Sequence, residues 1–144
     1  MSLVSNTDLE WINAAMRAGL QSSHPYFLFG AIVTKGGRVL GHATNAPGTG
    51  RHAELRLLSQ DIDFTGCTLI VVRVNRRTPG VLRCSRPCEA CFLVAKSVGI
   101  RRIVYLNRLN QPEARMLVGE LRGTYQKRPD MISLITDYRM IKHS

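Results

Sequence analysis

The chain has 144 residues, of which 44% are hydrophobic and 21% charged, so it suits one compact domain and not a disordered segment. No stretch approaches the roughly 20 apolar residues of a membrane span, and the start lacks the pattern of a signal peptide, so we expect a cytoplasmic, intracellular protein without membrane partners. The formal net charge of +10 favours partners that carry phosphate.

The first part of the chain predicts a helix followed by a hairpin. Thr7 and Glu10 match a capping box, which begins a helix extending to about residue 21. Four side chains at helical spacing form its apolar face: Leu9, Ile12, Met16 and Leu20. Residues 26–34 and 38–44 then read as two strands joined by a Lys-Gly-Gly turn.

The middle of the chain predicts a loop, a helix and a third strand. A Gly/Pro-rich loop covers residues 45–50, and a helix follows over about 51–60 with Leu55 and Leu58 facing inward. Residues 67–75 are rich in β-branched side chains, which is typical of a buried strand.

The next helix is predicted from its boundary residues. An irregular basic loop over residues 76–86 leads to Ser85, which can cap the helix, with Pro87 in the first turn. Gly99 ends this helix after about Val98.

The last part predicts a strand over 101–106, an amphipathic helix over 112–122 and a short strand over 131–136. The order indicates an α/β fold, a three-layer α-β-α sandwich around a five-stranded mixed sheet. Its last two strands should run parallel, because a helix connects them. Residues 1–144 are interpreted as a single domain.

Two short segments, residues 52–54 and 87–91, carry side chains that suit a metal site. Zinc prefers imidazole nitrogen and thiolate sulfur, so His52, Cys88 and Cys91 supply three of its usual four ligands. Three of the four cysteines fall within eight residues, which in a reducing compartment favours metal binding over disulfides. A catalytic zinc ion leaves one position to water and lowers the pKa of that water to about 7.

Glu54 is the candidate catalytic residue. Hydrolysis by zinc-bound hydroxide needs protons moved from the water to the reacting molecule and its leaving group, and one carboxylate beside the water can carry them. Residues two apart on a helix point about 200° from each other, so His52 and Glu54 share a site only where a helix begins. Cys88 and Cys91, three residues apart, face the same way.

A closed structural zinc site is the alternative. Cys84 or Cys67 would then supply a fourth protein ligand and leave no position for water. In that case the chain would be a non-catalytic, zinc-stabilised nucleic-acid-binding module.

The order H-x-E followed by P-C-x-x-C resembles the zinc-dependent cytidine/deoxycytidylate deaminase superfamily, over about residues 26–106. Residues 30–33 and 41–45 are similar to segments of deoxycytidylate and tRNA adenosine deaminases. The resemblance implies a cytidine deaminase-like domain with a Zn²⁺ cofactor that converts cytosine to uracil in a nucleotide or single-stranded nucleic acid. It leaves open adenine or guanine as the base, and it implies a possible homo-oligomer.

The resemblance also implies residues that bind substrate. In the superfamily an asparagine matching Asn45 contacts the sugar, and the backbone N–H of the residue matching Ala53 helps hold the base. Aromatic side chains at places comparable to Phe27 and Tyr105 stack on the base. A helix between the last two strands is typical of the deoxycytidylate and polynucleotide branches.

Arginines surround the same two segments. Arg51 adjoins His52, and Arg86 lies two residues before Cys88. Others lie in the basic loop or beside the fourth strand: Arg73, Arg76, Arg77, Arg83, Arg101, Arg102 and Arg108. This placement favours a phosphate backbone or a nucleotide phosphate at the mouth of the pocket, and a solvated basic loop is the alternative.

Overall fold

The structure is a computed structural model of the chain, and it describes residues 4–25, 27–46, 52–78 and 80–117. The described part holds three helices, α1 (Asn6–Gly19), α2 (Ala53–Leu58) and α3 (Glu89–Ser97). It also holds six strands: β1 (Leu28–Lys35), β2 (Arg38–Thr44), β3 (Thr68–Val74), β4 (Leu82–Arg83), β5 (Arg102–Leu106) and β6 (Pro112–Met116).

All six strands belong to one mixed sheet with the order β2-β1-β3-β5-β6, and β4 pairs with the far end of β3. β3 and β5 run parallel, whereas the other neighbouring strands are antiparallel. The α/β fold and the mixed sheet are therefore confirmed, with six strands in the described residues instead of five. The predicted hairpin is also confirmed, and Gly36 and Gly37 supply the positive φ angles (59° and 77°) of its turn.

Helices cover both faces of the sheet. Ile12 and Ala15 of α1 pack with Ile70 and Val104 of the central strands on one face. α2 and α3 pack on the other face with a larger apolar cluster that includes Leu69 of β3. The three-layer arrangement is thus confirmed, and it places the starts of α2 and α3 on the same side of the sheet.

The cap of α1 differs from the prediction. Ser5, not Thr7, is the N-cap, and its hydroxyl accepts a hydrogen bond from the Asp8 N–H at 3.1 Å. The Asp8 carboxylate accepts one from the Ser5 N–H at 2.9 Å, which completes the capping box. The prediction for Leu9 is also wrong, because its side chain is exposed while Asp8 is buried. The reason is a long-range partner of Asp8, Arg102.

Asp8 and Arg102 form a two-pronged ion pair that joins α1 to β5. The Arg102 Nη2 and Nη1 atoms donate to the two Asp8 carboxylate oxygens at 2.6 Å and 3.1 Å. Burial by itself raises the pKa of Asp8. The hydrogen bonds from Arg102 and from the Ser5 N–H, together with the positive charge of Arg102, outweigh burial, so the pKa lies below its usual value.

We expect Asp8→Asn to lower the free energy of unfolding at pH 7 by about 3 kcal/mol, because it leaves the Arg102 charge uncompensated. The pKa of Asp8 is lower in the folded protein than in the unfolded chain, where it is about 4. The ionised carboxyl therefore stabilises the folded protein fully above about pH 4, and this stabilisation is lost as the pH falls through the pKa of the folded protein. Urea unfolding at pH 7 and pH 2.5 should therefore show a difference between the two proteins that shrinks in acid. An equal difference at both pH values would contradict this role.

The predicted helix over residues 112–122 is wrong over 112–116, which form β6 antiparallel to β5. The side chains alternate as in a strand: Ala114 packs on the α1 side, while Glu113 and Arg115 contact side chains on the α3 side. Residues 118–122 and the strand expected at 131–136 lie outside the described residues, so the parallel pairing of the last two strands stays a prediction. The helix predicted to begin at residue 112 was the reason for preferring the deoxycytidylate and polynucleotide branches, and β6 removes that reason.

The remaining boundaries shift by a few residues. The strand predicted from residue 26 begins at Leu28, with Tyr26 outside the described residues, and the basic loop contains the short strand β4. Gly99, with a φ of 96°, follows α3 as predicted. Within the described ranges, no helix is both long enough and apolar enough to span a bilayer.

Candidate metal centre

The start of α2 brings His52 and Glu54 together. His52 is the N-cap residue with a non-helical backbone (φ −104°, ψ 51°), and Glu54 is the second residue of the helix. The His52 Nδ1 atom lies 3.8 Å from Glu54 Oε1. The side chains share a site for the reason predicted, because only the end of a helix lets residues two apart converge. Leu55, Leu57 and Leu58 bury the rest of α2 in the core.

The start of α3 brings Cys88 and Cys91 together. Cys88 is the N-cap residue in an extended conformation, and Cys91 is the third residue of the helix. Their Sγ atoms are 3.3 Å apart. The predicted cap is wrong: Ser85 does not cap α3, and Pro87 precedes the helix instead of lying in its first turn. The Ser85 hydroxyl bonds to β3 and β5 instead.

The two helix starts meet at one point. The Cys91 Sγ donates to Glu54 Oε1 at 3.1 Å and lies 3.9 Å from His52 Nδ1. His52, Glu54 and Cys91 each offer an atom that could ligate a metal, and these atoms lie within 4.8 Å of one another. Cys88 is not one of these three residues, but its Sγ lies beside that of Cys91, so three of the four predicted site residues converge and the fourth adjoins them. Glu54 and Cys91 are 4% and 1% exposed.

The two spacings that involve Cys91 fit a tetrahedral zinc ion. With Zn–S of about 2.3 Å and Zn–N of about 2.0–2.1 Å, two sulfur ligands stand about 3.8 Å apart and a sulfur–nitrogen pair about 3.6 Å apart. The Cys88–Cys91 and Cys91–His52 distances are 3.3 Å and 3.9 Å. Both deviate from the tetrahedral values by no more than about 0.5 Å.

The charges at the site also fit a cation. The Cys88 thiol, burial and the Glu54 carboxylate all disfavour a thiolate at Cys91, and they raise the pKa of that thiol far above its usual range. A divalent cation among these groups inverts this preference, because it stabilises thiolates and a nearby carboxylate together. The donor set is therefore one that a zinc ion would complete.

The other two cysteines lie apart from this group. Cys67 is buried, and its Sγ points to the backbone oxygens of Asp63 and Thr65 at 3.7 Å and 4.0 Å. Over the described ranges, neither Cys67 nor the half-buried Cys84 belongs to the cluster of close ligand atoms. Cys88 is outside that cluster too, but its sulfur contacts Cys91 at 3.3 Å, which favours Cys88 over Cys67 and Cys84 as the second sulfur ligand.

Asn45 and Ala53 lie in buried positions. The Asn45 amide donates to the Phe27 carbonyl at 2.7 Å and accepts from the Phe29 N–H at 2.9 Å and the Ser22 hydroxyl at 2.7 Å. It thereby fastens the start of β1 to the loop before it. The Ala53 N–H lies at the first position of α2, where the helix itself supplies no acceptor. Their contacts with substrate stay predictions.

Tyr105 and Arg86 belong to a polar cluster beside α3. Tyr105 is buried and donates its hydroxyl to Glu113, while Arg86 donates to the same hydroxyl at 3.1 Å. Burial and the Glu113 hydrogen bond raise the pKa of Tyr105 to about 12. The Arg86 guanidinium also lies 5.5 Å from the centre of the Phe92 ring. A base could stack on Tyr105 only after this ring became exposed, and both substrate roles stay predictions.

Phe27 is half-buried, with the Arg73 guanidinium 5.3 Å from its ring centre. Arg76 donates to the backbone oxygens of Ser22 and His24 at 3.2 Å and 3.1 Å. Four of the predicted phosphate-binding arginines thus have partners within the fold: Arg73, Arg76, Arg86 and Arg102. Arg51 lies outside the described residues. Four others are exposed: Arg77, Arg83, Arg101 and Arg108.

No family model and no curated protein matches the chain. Among solved structures, forms 1 and 2 of Acinetobacter baumannii RibD are similar, with TM-scores of 0.47 and 0.46 and sequence identities of 19% and 18%. Each similarity covers 67% of this chain and 27% of the RibD chain, so this chain spans about a quarter of the RibD length. A function for this protein therefore has to be argued from its own site.

Proposed function

We propose that this protein is a zinc-dependent nucleobase deaminase of the cytidine/deoxycytidylate deaminase type, a hydrolase acting on the C–N bonds of cyclic amidines. It would convert cytosine to uracil in a nucleotide or a single-stranded nucleic acid, with water consumed and ammonia released. The observation that carries the proposal is the convergence of His52, Cys88 and Cys91 with the Glu54 carboxylate at two helix starts.

The ligands would be the His52 imidazole and the Cys88 and Cys91 thiolates. When bound, the metal supplies a Lewis acid that makes water reactive at neutral pH. Among the described residues, Glu54 is the carboxylate in the group of close ligand atoms, and its Oε1 lies 3.1 Å from the Cys91 Sγ and 3.8 Å from the His52 Nδ1. The site thus pairs three zinc donors with one carboxylate.

Glu54 would move two protons. Its carboxylate takes one from the attacking water and delivers it to the ring nitrogen next to the reacting carbon. It takes the second from the hydroxyl now on that carbon and delivers it to the amine, which leaves as ammonia. Burial of Glu54 keeps bulk water away from this exchange. The Ala53 N–H and the Asn45 amide would hold the base and its sugar.

The net charge of +10 and the exposed arginines support a phosphate-bearing substrate. Within the described residues, however, β6 follows β5 and runs antiparallel to it, and in nucleoside-specific members of the superfamily a short turn joins the last strands in an antiparallel pair. Free nucleosides therefore join nucleotides and polynucleotides as candidates. The homo-oligomer, the cytoplasmic location and the interpretation as a single domain also stay predictions.

A substrate panel tests the proposal. The zinc-loaded protein should convert at least one of cytidine, deoxycytidine, their monophosphates, single-stranded DNA and single-stranded RNA, with a mass gain of about 1 Da per base. Adenosine and guanosine in the same panel test the other bases, and mass spectrometry reads all products. Zinc binding and salt-sensitive RNA or DNA binding without any product would contradict the proposal and favour the non-catalytic module.

A further inference from the structure

β3 and β5 separate partway along their length. They pair in parallel over Thr68–Ile70 of β3, and from Arg73 onward the same edge of β3 pairs with β4 instead. After β4 the chain passes between the diverging ends of β3 and β5, where Ser85 lies. We call this gap between the two strands the fork. Because the fork is buried, the backbone groups that no longer pair across it need other partners.

One hydroxyl supplies these partners. The Ser85 Oγ donates to the Val71 carbonyl of β3 at 2.8 Å and accepts from the Leu106 N–H of β5 at 2.9 Å. The Ser85 N–H also donates to the Leu106 carbonyl at 2.9 Å. Ser85 is 3% exposed, so water does not replace these bonds in the folded protein. Ser85 thereby fixes the chain at a defined point between two central strands.

Cys88 follows this fixed point by three residues. The φ angle of the intervening Pro87 is restricted by its ring, and Pro87 is itself buried, so the connection is short and stiff. Cys88 is the N-cap residue of α3, but its side chain makes no capping hydrogen bond. Its carbonyl accepts a hydrogen bond from the Phe92 N–H at 3.1 Å, so the backbone that carries the Cys88 thiol is set by Ser85 on one side and by the first turn of α3 on the other.

We propose that Ser85 is a positioning residue that holds the Cys88 sulfur in place for the metal, an inference that rests on the proposed function in taking Cys88 as a ligand. The other donors do not depend on the fork. His52 and Glu54 lie at the start of α2, and Cys91 lies within α3, whose residues Phe92 and Ala95 are buried in the core. Loss of the Ser85 hydroxyl removes two of the bonds that restrain Cys88 from the side of the sheet and leaves its carbonyl bonded to α3, so this ligand should move relative to the others.

Ser85→Ala removes the hydroxyl and leaves every proposed ligand. The fold keeps other restraints on this segment, because Arg86 contacts Tyr105 and Glu89. Groups hydrogen-bonded to a metal ligand typically change metal affinity by about 10–100-fold. Ser85 acts on Cys88 through the backbone, so we expect zinc binding to weaken by about 10-fold, the lower end of that range. Substituted Co²⁺ should also show altered thiolate-to-cobalt absorption, because the geometry of one sulfur has changed.

Two further variants separate positioning from general destabilisation. Ile12→Ala lies on the α1 face of the sheet, so it should lower the melting temperature but leave zinc affinity and the Co²⁺ spectrum unchanged. Ser85→Thr keeps the hydroxyl and should bind zinc with nearly the affinity of the unchanged protein. Affinity is measured by competition with a chromophoric chelator well below the melting temperature of each protein.

The inference is overturned if Ser85→Ala binds zinc and Co²⁺ like the unchanged protein, if Ile12→Ala loses as much affinity, or if Ser85→Thr loses affinity like an alanine. These readouts need no substrate. If zinc affinity fell in Ser85→Ala but not in Ser85→Thr or Ile12→Ala, and the unchanged protein deaminated nothing, the proposed function would be contradicted and the role of Ser85 supported. If Ser85→Ala kept full deaminase activity and unaltered metal binding, the proposed function would be supported and the role of Ser85 would be contradicted.

Discussion

Glu54→Gln is expected to lower kcat by about 10³-fold or more while the protein still binds one zinc ion, because a positioned proton carrier typically contributes 10²–10⁴-fold to a rate. The amide has nearly the shape of the carboxylate, so the packing around this buried side chain is kept. It cannot accept a proton from water at neutral pH. Single-turnover assays with the zinc-loaded proteins, alongside metal analysis, measure both effects.

Glu89→Gln is the matched control, because Glu89 lies between the two cysteines in sequence and undergoes the same substitution. Its carboxylate is exposed, and its ion pairs with Arg86 and Arg115 span 3.8 Å and 3.4 Å. Exposed pairs of this kind contribute little to stability, so activity should hardly change. Substantial turnover by Glu54→Gln would exclude Glu54 as the proton carrier.

Cys91→Ala is expected to abolish tight zinc binding and the stabilisation that zinc provides. Cys91 makes the contacts that join the two helix starts, since its sulfur lies next to Cys88, Glu54 and His52. A ligand present at 1,000 times its Kd stabilises the folded protein by about 4 kcal/mol, so zinc should raise the melting temperature of the unchanged protein and not that of the variant. Thermal unfolding with zinc and with a chelator measures this difference.

Cys84→Ala separates the open site from the closed one. In the proposed open site Cys84 is not a ligand, so this variant should bind zinc and respond to it like the unchanged protein. If Cys84→Ala lost zinc as completely as Cys91→Ala, the zinc would be held by a fourth protein ligand. The alternative of a structural zinc site would then replace the catalytic one.

The convergence of His52, Glu54 and Cys91 was the most predictable feature of the molecule. Zinc chemistry restricts the donors to a few side-chain types, and the short spacing within each segment fixes which donors face the same way. The separation of His52 and Glu54 by two residues even predicted that they would lie at a helix start, as they do. These inferences depend on local geometry, which sequence carries directly.

Contacts between distant parts of the chain were not predictable in this way. Ser5 with Asp8 and Thr7 with Glu10 are overlapping candidates for a capping box, and the choice follows from the ion pair of Asp8 with Arg102, 94 residues away. Ser85 precedes a helix and has the side chain of a cap, but the fork between β3 and β5 gives its hydroxyl two backbone partners. The sequence around Asp8 and Ser85 does not indicate that Arg102 pairs with the first or that β3 and β5 bond to the second.

β6 shows a tertiary contact that overrides a helical pattern. Pro112 is as suitable for the first residue of a strand as for the first turn of a helix. Pairing with β5 selects the strand, because it places Glu113 beside the Tyr105 hydroxyl and Ala114 against the opposite apolar cluster. The arginines around the site illustrate the same limit, since Arg76 and Arg102 have partners within the fold that composition does not reveal.

X-ray absorption at the zinc edge of the metal-loaded protein tests the central claim most directly. A site built from His52, Cys88 and Cys91 predicts two sulfur ligands at about 2.3 Å and two nitrogen or oxygen ligands at about 2.0–2.1 Å, one of them from solvent. Three or four sulfur ligands would mean that another cysteine occupies the position needed for water. That result would contradict a catalytic zinc site in this protein.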